Sequence, residues 1–297
     1  MKAAVVFSAL LATLAAAGSA GASEIIDRNA RNVRLAVDAS GRALVSYTAR
    51  GSVHRVRVWG AINARDPNPR VPQVQFRKDY SGRNWSAFRN RCRSYTGPKL
   101  AFFVAGCSAP DGSYWVLQSW RRTLPNFDGR LRPGLGAWEL RLSHWSTAPA
   151  TLEAWTDWVY GGRYHHLFGR LTYAGRPVYG FTATRVGSPT DTYGRNIYVD
   201  TFDSRYGKGW RRENAFLAHR PTGIFCYGFY PFTSRGPGNG AKYRLTVIGP
   251  GVTPDVSITV PGLHDYNRND SADVEYERQQ NALLDSILGV DEQCRTH

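Results

Sequence analysis

The chain has 297 residues, 42% of them hydrophobic and 13% aromatic. That composition excludes a globally disordered protein and suffices for the core of one large β-rich domain or two smaller ones. Lys and Arg number 38 against 23 Asp and Glu, a formal net charge of +15 that favours anionic partners such as phosphorylated or uronic polymers.

In chain order, the first element is Lys2, an apolar run from Ala3 to Gly18 and the small residues Ala20-Gly21-Ala22. This has the three-part form of a secretory signal peptide, so residues 1–22 are expected to be cleaved and the mature chain to begin near Ser23. The expected address is extracellular or periplasmic, which makes nucleic acid an unexpected partner. No later segment has the ~18 uninterrupted apolar residues of a membrane span. Cys92, Cys107, Cys226 and Cys294 then read as two disulfides, with three possible pairings. The favoured pairing is Cys92–Cys107, closing a local loop, with Cys226–Cys294 tying down the C-terminal tail.

Period-two alternation begins at Val33, Leu35 and Val37. It turns at Asp38-Ala39-Ser40-Gly41, resumes over Ala43 to Tyr47, turns at Ala49-Arg50-Gly51 and continues through Val53, Arg55, Val56, Val58 and Trp59. That is a meander with one wet face. Over residues 84–95, Trp85, Phe88, Cys92 and Tyr95 recur at helical spacing and predict a short helix. The run Leu100 to Gly106, the turn Ala109-Pro110-Asp111-Gly112 and the run Tyr114 to Trp120 predict a buried hairpin. A further strand is expected over Ala137 to Leu142.

Ser146 to Ala150 is the most linker-like stretch, so an N-terminal β lobe over 23–146 and a C-terminal sandwich-like lobe over 147–297 are expected. Strands are predicted at Thr151–Tyr160, His166–Tyr173, Val178–Thr184, Ile197–Phe202, Ile224–Tyr230 and Tyr243–Ile248. Asp270 or Ser271 begins a C-terminal helix over 271–288 that Gly289 ends. The expected fold class is mainly β, an antiparallel sandwich type with these two helices.

Gly169-Arg170-Leu171-Thr172-Tyr173-Ala174-Gly175-Arg176-Pro177-Val178-Tyr179-Gly180 resembles the opening of transthyretin-like and carboxypeptidase-regulatory-like β-sandwich modules. The resemblance extends at most over residues 166–249, with Thr192–Arg195 and Tyr243–Val247 at the places of later strands. It implies a scaffold and carries no catalytic residues.

No Gly-x-Ser-x-Gly, His-Glu-x-x-His, Gly-x-x-x-x-Gly-Lys or Ser-x-x-Lys motif occurs, which removes the most familiar hydrolase and nucleotide-binding classes. Neither a Cys-x-x-Cys pair nor any other cofactor signature is present, so no metal or cofactor is expected. His165-His166 would point to opposite faces of a strand, leaving one of them to find His144, Asp157 or His219. Asp265, Asn267 and Asn269 have the start of a calcium-loop spacing, but Asp270 and Tyr276 stand where Gly and a bidentate acid are required, so an Asx-rich helix cap is the simpler reading. Asp191, Asp200 and Asp203 lie among Tyr193, Arg195, Tyr198, Arg205, Tyr206, Lys208, Trp210, Arg211 and Arg212, in a segment read as a surface loop. Rings that stack on sugars and arginines that bond hydroxyls and acids make this the leading binding segment. His165 and the loop-like Trp145 are added as candidates. Asp200 and Asp203 are the nominal pair for a hydrolase, although a spacing of three separates them on a strand. No catalytic residue is assigned. The leading expectation is non-catalytic binding of an envelope or extracellular polysaccharide or another anionic polymer; the alternatives are a hydrolase of such a polymer and a structural envelope or matrix protein.

Overall fold

The computed structural model describes residues 23–68, 70–83, 85–122, 136–179, 182–183, 189–190, 196–216, 222–228, 239–289 and 294. The expected leader, together with Asp191, Tyr193, Arg195 and His219, lies outside these residues. The strands of the first half are β1 (Glu24–Arg28), β2 (Arg31–Val37), β3 (Ala43–Ala49), β4 (Ser52–Trp59), β5 (Arg77–Asp79), β6 (Phe103–Ser108), β7 (Tyr114–Arg122) and β8 (Ala137–Trp145). They form two four-stranded antiparallel sheets, in the orders β1-β8-β7-β6 and β2-β3-β4-β5. The second half adds β9 (Thr151–Val159), β10 (Tyr164–Tyr173), the two-residue strands β11 (Arg176–Pro177), β12 (Thr182–Ala183) and β13 (Pro189–Thr190), then β14 (Ile197–Ser204), β15 (Gly207–Phe216), β16 (Ile224–Gly228), β17 (Lys242–Val247), β18 (Val256–Pro261) and helix α1 (Ser271–Leu288). Here β10 pairs with β9, β11 and β16, and a separate sheet runs β15-β14-β17-β18. The fold is mostly β with a C-terminal helix, as expected.

Local chemistry accounts for the tight turns. The Asp38 carboxylate accepts from the amides of Ser40 and Arg42 between β2 and β3, an Asx-type turn. Arg50 and Gly51 both have positive φ between β3 and β4, the conformation of a two-residue hairpin that matches strand twist. Asp270 caps α1 by accepting from the Ala272 amide, and Gly289 closes it with φ 58°.

Three expectations need correction. The helix over 84–95 shrinks to one 3-10 turn, Trp85–Ala87. The backbone beyond is drawn into tertiary bonds: the Arg91 amide donates to the Val37 carbonyl, the Asn90 side chain accepts from the Val37 and Cys92 amides, and Arg93 bridges Ser108. The expected strand over 178–184 is represented among the described residues only by β12. Most of the segment read as a loop after Asp203 is the ten-residue strand β15, paired along β14. Its glycines, Gly207 and Gly209, and its charges hid the alternation.

One hydrophobic core lies between the first two sheets, with Val45, Val56 and Val58 facing Trp115, Leu117, Leu140 and Leu142. A second lies between the later sheets, from Leu167, Leu171 and Phe225 to Val199, Tyr243 and Leu245. Helix α1 covers the other face of β10 and β16 through Leu284 and Leu288 against Phe168 and Ile224. Both expected disulfides are present. Cys92–Cys107 holds the irregular segment to β6, and Cys226–Cys294 fastens the chain beyond α1 to β16.

The connection from β17 to β18 leaves its own sheet and lies on the sheet β1-β8-β7-β6. His144 donates its amide to the Val252 carbonyl, and the Ser143 hydroxyl donates to the Thr253 carbonyl. The Asp255 amide donates to Gln118 Oε1, while Gln118 Nε2 donates to the Asp255 carbonyl at 3.0 Å. The wholly buried Asp255 carboxylate accepts from the Ser23 hydroxyl and from Trp120 Nε1 at 2.6 Å, and faces Arg141 Nε at 3.9 Å. Burial pushes its pKa up, against the opposing pull of Arg141, Ser23 and Trp120. Removing the acid would leave the Arg141 guanidinium in the interior with Glu139 as its one carboxylate among the described residues. Asp255→Ala is therefore expected to cost about 3–5 kcal/mol in urea denaturation, with Asp255→Asn costing less; a change below about 1 kcal/mol for the alanine variant would contradict this account.

Candidate functional site

Only part of the leading binding segment converges. Tyr198, Asp200, Trp210 and Arg212 meet on one face of the sheet β15-β14-β17-β18, where Asp200↔Arg212 and Asp200↔Arg244 are cross-strand pairs. Arg212 Nε donates to Asp200 Oδ1 at 2.5 Å and Arg244 Nη2 to Oδ2 at 2.9 Å. The guanidinium of Arg212 lies 4.7 Å from the centre of the Tyr198 ring, and that of Arg244 lies 4.4 Å from Trp210 and 5.4 Å from Phe102. Yet Tyr198, Asp200 and Arg212 are buried, because Trp120, Phe102 and Ile248 pack over Tyr198. This cluster is an internal junction and not an open groove.

The remaining candidates disperse. Asp203 sits in the β14–β15 hairpin with its carboxylate on the Gly209 amide, 2.7 Å away, so it forms no carboxylate pair with Asp200. Tyr206 is buried beside Glu213, and burial first, then that acid, pushes its hydroxyl up to about 12. Arg211 bonds the Trp210 carbonyl and lies on the opposite face, in register with Thr201. The expectation for Trp145 is overturned: it ends β8 fully buried, with Tyr114 at 5.6 Å and Tyr95 at 6.5 Å between ring centres. His165 and His166 do point to opposite faces. His165 Nδ1 meets the Tyr243 hydroxyl at 3.2 Å, and His166 Nδ1 meets Asp157 Oδ1 at 2.6 Å, all within the interior. The Asp265–Asn269 segment is a helix cap: Asn267 accepts from the Asn269 amide, and Asp273 binds the Asn267 amide and His264.

An exposed arginine and aromatic surface exists elsewhere, on the wet face of β2-β3-β4-β5. In β4 the residues alternate, with Val56 and Val58 buried and Arg55 exposed. Directly opposed residues share a face, so register sets Arg34, Ser46 and Arg55 in one row, Leu44, Arg57 and Asp79 in the next, and Trp59 beside Arg77. The only acid in these rows, Asp79, pairs with Arg57 at 3.4 Å. Among the described residues, no ion pair involves Arg34, Arg42, Arg55 or Arg77, and all four are exposed.

At the Trp59 end the face runs into a cavity of about 390 Å³ bounded by Ser40–Arg42, Trp59–Ile62, Asp111 and His144. Its wall is a hydrogen-bonded chain. Asp111 Oδ1 accepts from the Ser113 hydroxyl at 2.6 Å, that hydroxyl oxygen is 2.8 Å from His144 Nε2, and His144 Nδ1 donates to the Ala61 carbonyl at 2.5 Å. The imidazole lies flat on Trp115, with ring centres 3.9 Å apart. Burial pulls His144 down to about 4, against the Ala61 bond and Asp111, which raise it. Burial acts to raise Asp111, but the Ser113 hydroxyl and amide and His144 outweigh it and hold the carboxyl below its ordinary range. Neither the arginine rows nor the Asp111–Ser113 pair emerged from motif searching. The available signal was the wet half of the alternation between Val53 and Trp59.

No protein-family model matches this chain, and comparison with curated proteins and with solved structures finds no match. The transthyretin-like resemblance over 166–249 thus rests on its quoted motif alone, and the sheets of that region are completed by β9 and β18 from outside it.

The burial of His144 has a pH consequence. Its folded pKa lies near 4 against 6.5 for the free side chain, so the unfolded chain binds the extra proton first as pH falls. Stability is full above pH 6.5 and is lost between there and about 4, by roughly 3 kcal/mol from this group. Urea denaturation at both ends of that window should show His144→Gln losing correspondingly less stability than the unaltered protein; equal losses would remove His144 as the cause.

Proposed function

We propose that this is an exported binding protein that holds an anionic extracellular polysaccharide on the wet face of β2-β3-β4-β5. One observation carries the reading: Arg34, Arg55 and Arg77 share that face with Trp59, without acidic partners among the described residues. Arg34 and Arg55 sit two strands apart, about 10 Å. Charges on this scale can be met in succession by a chain bearing an acid on each or alternate rings. Guanidinium forks match carboxylate, sulfate and phosphate groups, and an indole offers an apolar plane to a sugar ring. The two disulfides agree with export to an oxidising compartment. Among the described residues, no helix is long and apolar enough to cross a membrane. The hydrolase alternative has lost its nominal pair, since Asp200 is engaged by two arginines and Asp203 by a turn.

Retention on immobilised polygalacturonate tests the reading. The protein should bind at about 0.05 M salt and elute by about 0.5 M, as screening of exposed charges requires, while dextran should not retain it. Arg34→Glu with Arg55→Glu should weaken binding roughly tenfold or more, with unchanged thermal unfolding. Binding indifferent to these changes, or equal retention on double-stranded DNA, would overturn the assignment to an anionic polysaccharide.

A further inference from the structure

The wall of the cavity contains an unbalanced count of protons. Three short links join Asp111 Oδ1, Ser113 Oγ, His144 Nε2 with Nδ1, and the Ala61 carbonyl, and each link needs one proton. A carbonyl only accepts, so His144 Nδ1 carries hydrogen and Nε2 presents its lone pair when the ring is neutral. The Ser113 hydroxyl then holds one proton that both the Asp111 carboxylate and His144 Nε2 require. Well above pH 4, with His144 neutral, the chain is one proton short: the buried imidazole and the exposed Asp111 carboxylate, which also accepts from the Ser113 amide at 3.0 Å, face one hydroxyl. A hydrogen-bond donor from outside that engages the Asp111 carboxylate would release the Ser113 proton to His144.

The same cavity specifies what kind of donor fits. Trp59, half-buried, presents an indole at one boundary; Asp111 is exposed at another, and Ser40 and Arg42 are exposed between them. Arg42 is the one cation of this lining that lacks an acidic partner among the described residues. The volume, about 390 Å³, is in the range of small-ligand sites. We infer that this cavity binds a single sugar ring, a uronic acid in preference to a neutral sugar, with the ring on Trp59, its carboxylate toward Arg42 and a hydroxyl donating to Asp111. This site shares Trp59 with the polymer face but none of Arg34, Arg55 and Arg77, and it stands whether or not that face binds a chain.

The charged and titratable groups around His144 are few. Asp111 comes from the β6–β7 turn and Arg42 from the β2–β3 turn. The exit of β4, the stacked Trp115 and the Ser113 hydroxyl contribute no charge. Protonating His144 supplies the missing proton internally, so the demand for an external donor falls in acid. Sugar binding should therefore be stronger at pH 7 than below pH 4.

Saturation-transfer NMR with D-glucuronate and D-glucose as probes tests the site. At pH 7, glucuronate should give transfer and glucose at least about fivefold less, consistent with one charge-assisted contact. Asp111→Asn should weaken glucuronate binding roughly tenfold, the cost of replacing one charged hydrogen-bond partner. Trp59→Ala, at a half-exposed position that leaves the buried chain intact, should also weaken it and keeps the test valid if the Asp111 variant unfolds. Arg34→Glu with Arg55→Glu should leave glucuronate binding unchanged even where it abolishes retention on polygalacturonate. Absence of transfer from glucuronate, equal transfer from glucose, or binding unaffected by both Asp111→Asn and Trp59→Ala would overturn the inference without touching the arginine rows that carry the polymer reading. Loss of polymer retention alone would leave the inference intact.

Discussion

The clamp at Asp255 governs what the rest of the molecule can present to solvent. A carboxylate with no exposure must have its oxygens answered from within, and here Ser23, Trp120 and Arg141 answer them while Gln118 brackets the backbone on both sides. The β17–β18 connection is thereby held against β7 and β8. Gly249 permits its tight path, because a Cβ there would run into the Pro254 carbonyl. The sheet β1-β8-β7-β6 is consequently buried on both faces, with Trp115 and Leu117 in the first core and Gln118 and Trp120 beneath the connection. Its partner sheet, β2-β3-β4-β5, is covered on one side only. The open arginine face is thus a consequence of which sheet the clamp occupies.

The arginines divide into two populations with different physics. Arg141 and Arg212 are buried and answered by Glu139, Asp255 and Asp200. The Asp200 cluster holds two guanidiniums to one carboxylate, and neighbouring Tyr198 and Trp210 rings take up part of the remaining charge. Arg34, Arg42, Arg55 and Arg77 have water instead, with nothing among the described residues to neutralise them. An exposed cation costs little to keep solvated, so it contributes little to folding. Its contribution lies in the field outside the protein, and that field is concentrated where three of them, Arg34, Arg55 and Arg77, share one sheet face.

Much of the fold was legible because it depends on short-range signals. Alternation at Val33–Val37 and Val53–Trp59, turn residues at Asp38–Gly41 and Arg50-Gly51, and the Asp270 to Gly289 frame of α1 all operate within a few residues. Both cysteine pairings followed from order along the chain. The failures share the opposite property. The helical spacing of Trp85, Phe88, Cys92 and Tyr95 is real, but bonds from Asn90 and Arg91 to Val37, far away in sequence, draw the backbone away from a helix. Trp145 reads as loop-like because Ser146 to Ala150 follows it, whereas its burial is set by Tyr95 and Tyr114. Strand β15 disguises itself with two glycines and its charges, since part of its inward chemistry is polar, answered by Asp200 in its own sheet and by Tyr227 from β16 of another. The chemistry of the proposed site, aromatic rings with arginines, was legible at the level of composition. Density along the chain at 191–212 did not become density in space: of the described candidates there, Tyr198, Asp200, Trp210 and Arg212 share a face, and Asp203, Tyr206 and Arg211 lie elsewhere.

Asp255 and Asp111 show two ways a protein can hold a carboxylate in its framework. Around Asp255 the partners include donors fixed by their chemistry: an indole N–H, a guanidinium and the Ser23 hydroxyl, which has no competing acceptor among the described residues. Both carboxylate oxygens are satisfied by hydrogen bonds, with Arg141 adding charge at 3.9 Å, and the junction is rigid as a result. Around Asp111 the hydroxyl is shared with an imidazole whose other nitrogen is committed to a carbonyl, so the network closes only when a proton arrives from solvent, from acid or from another molecule. Its place at the wall of a cavity that also holds an indole and a guanidinium with no acidic partner among the described residues gives the deficit a physical meaning. The incomplete network is the part of this molecule that a ligand can finish.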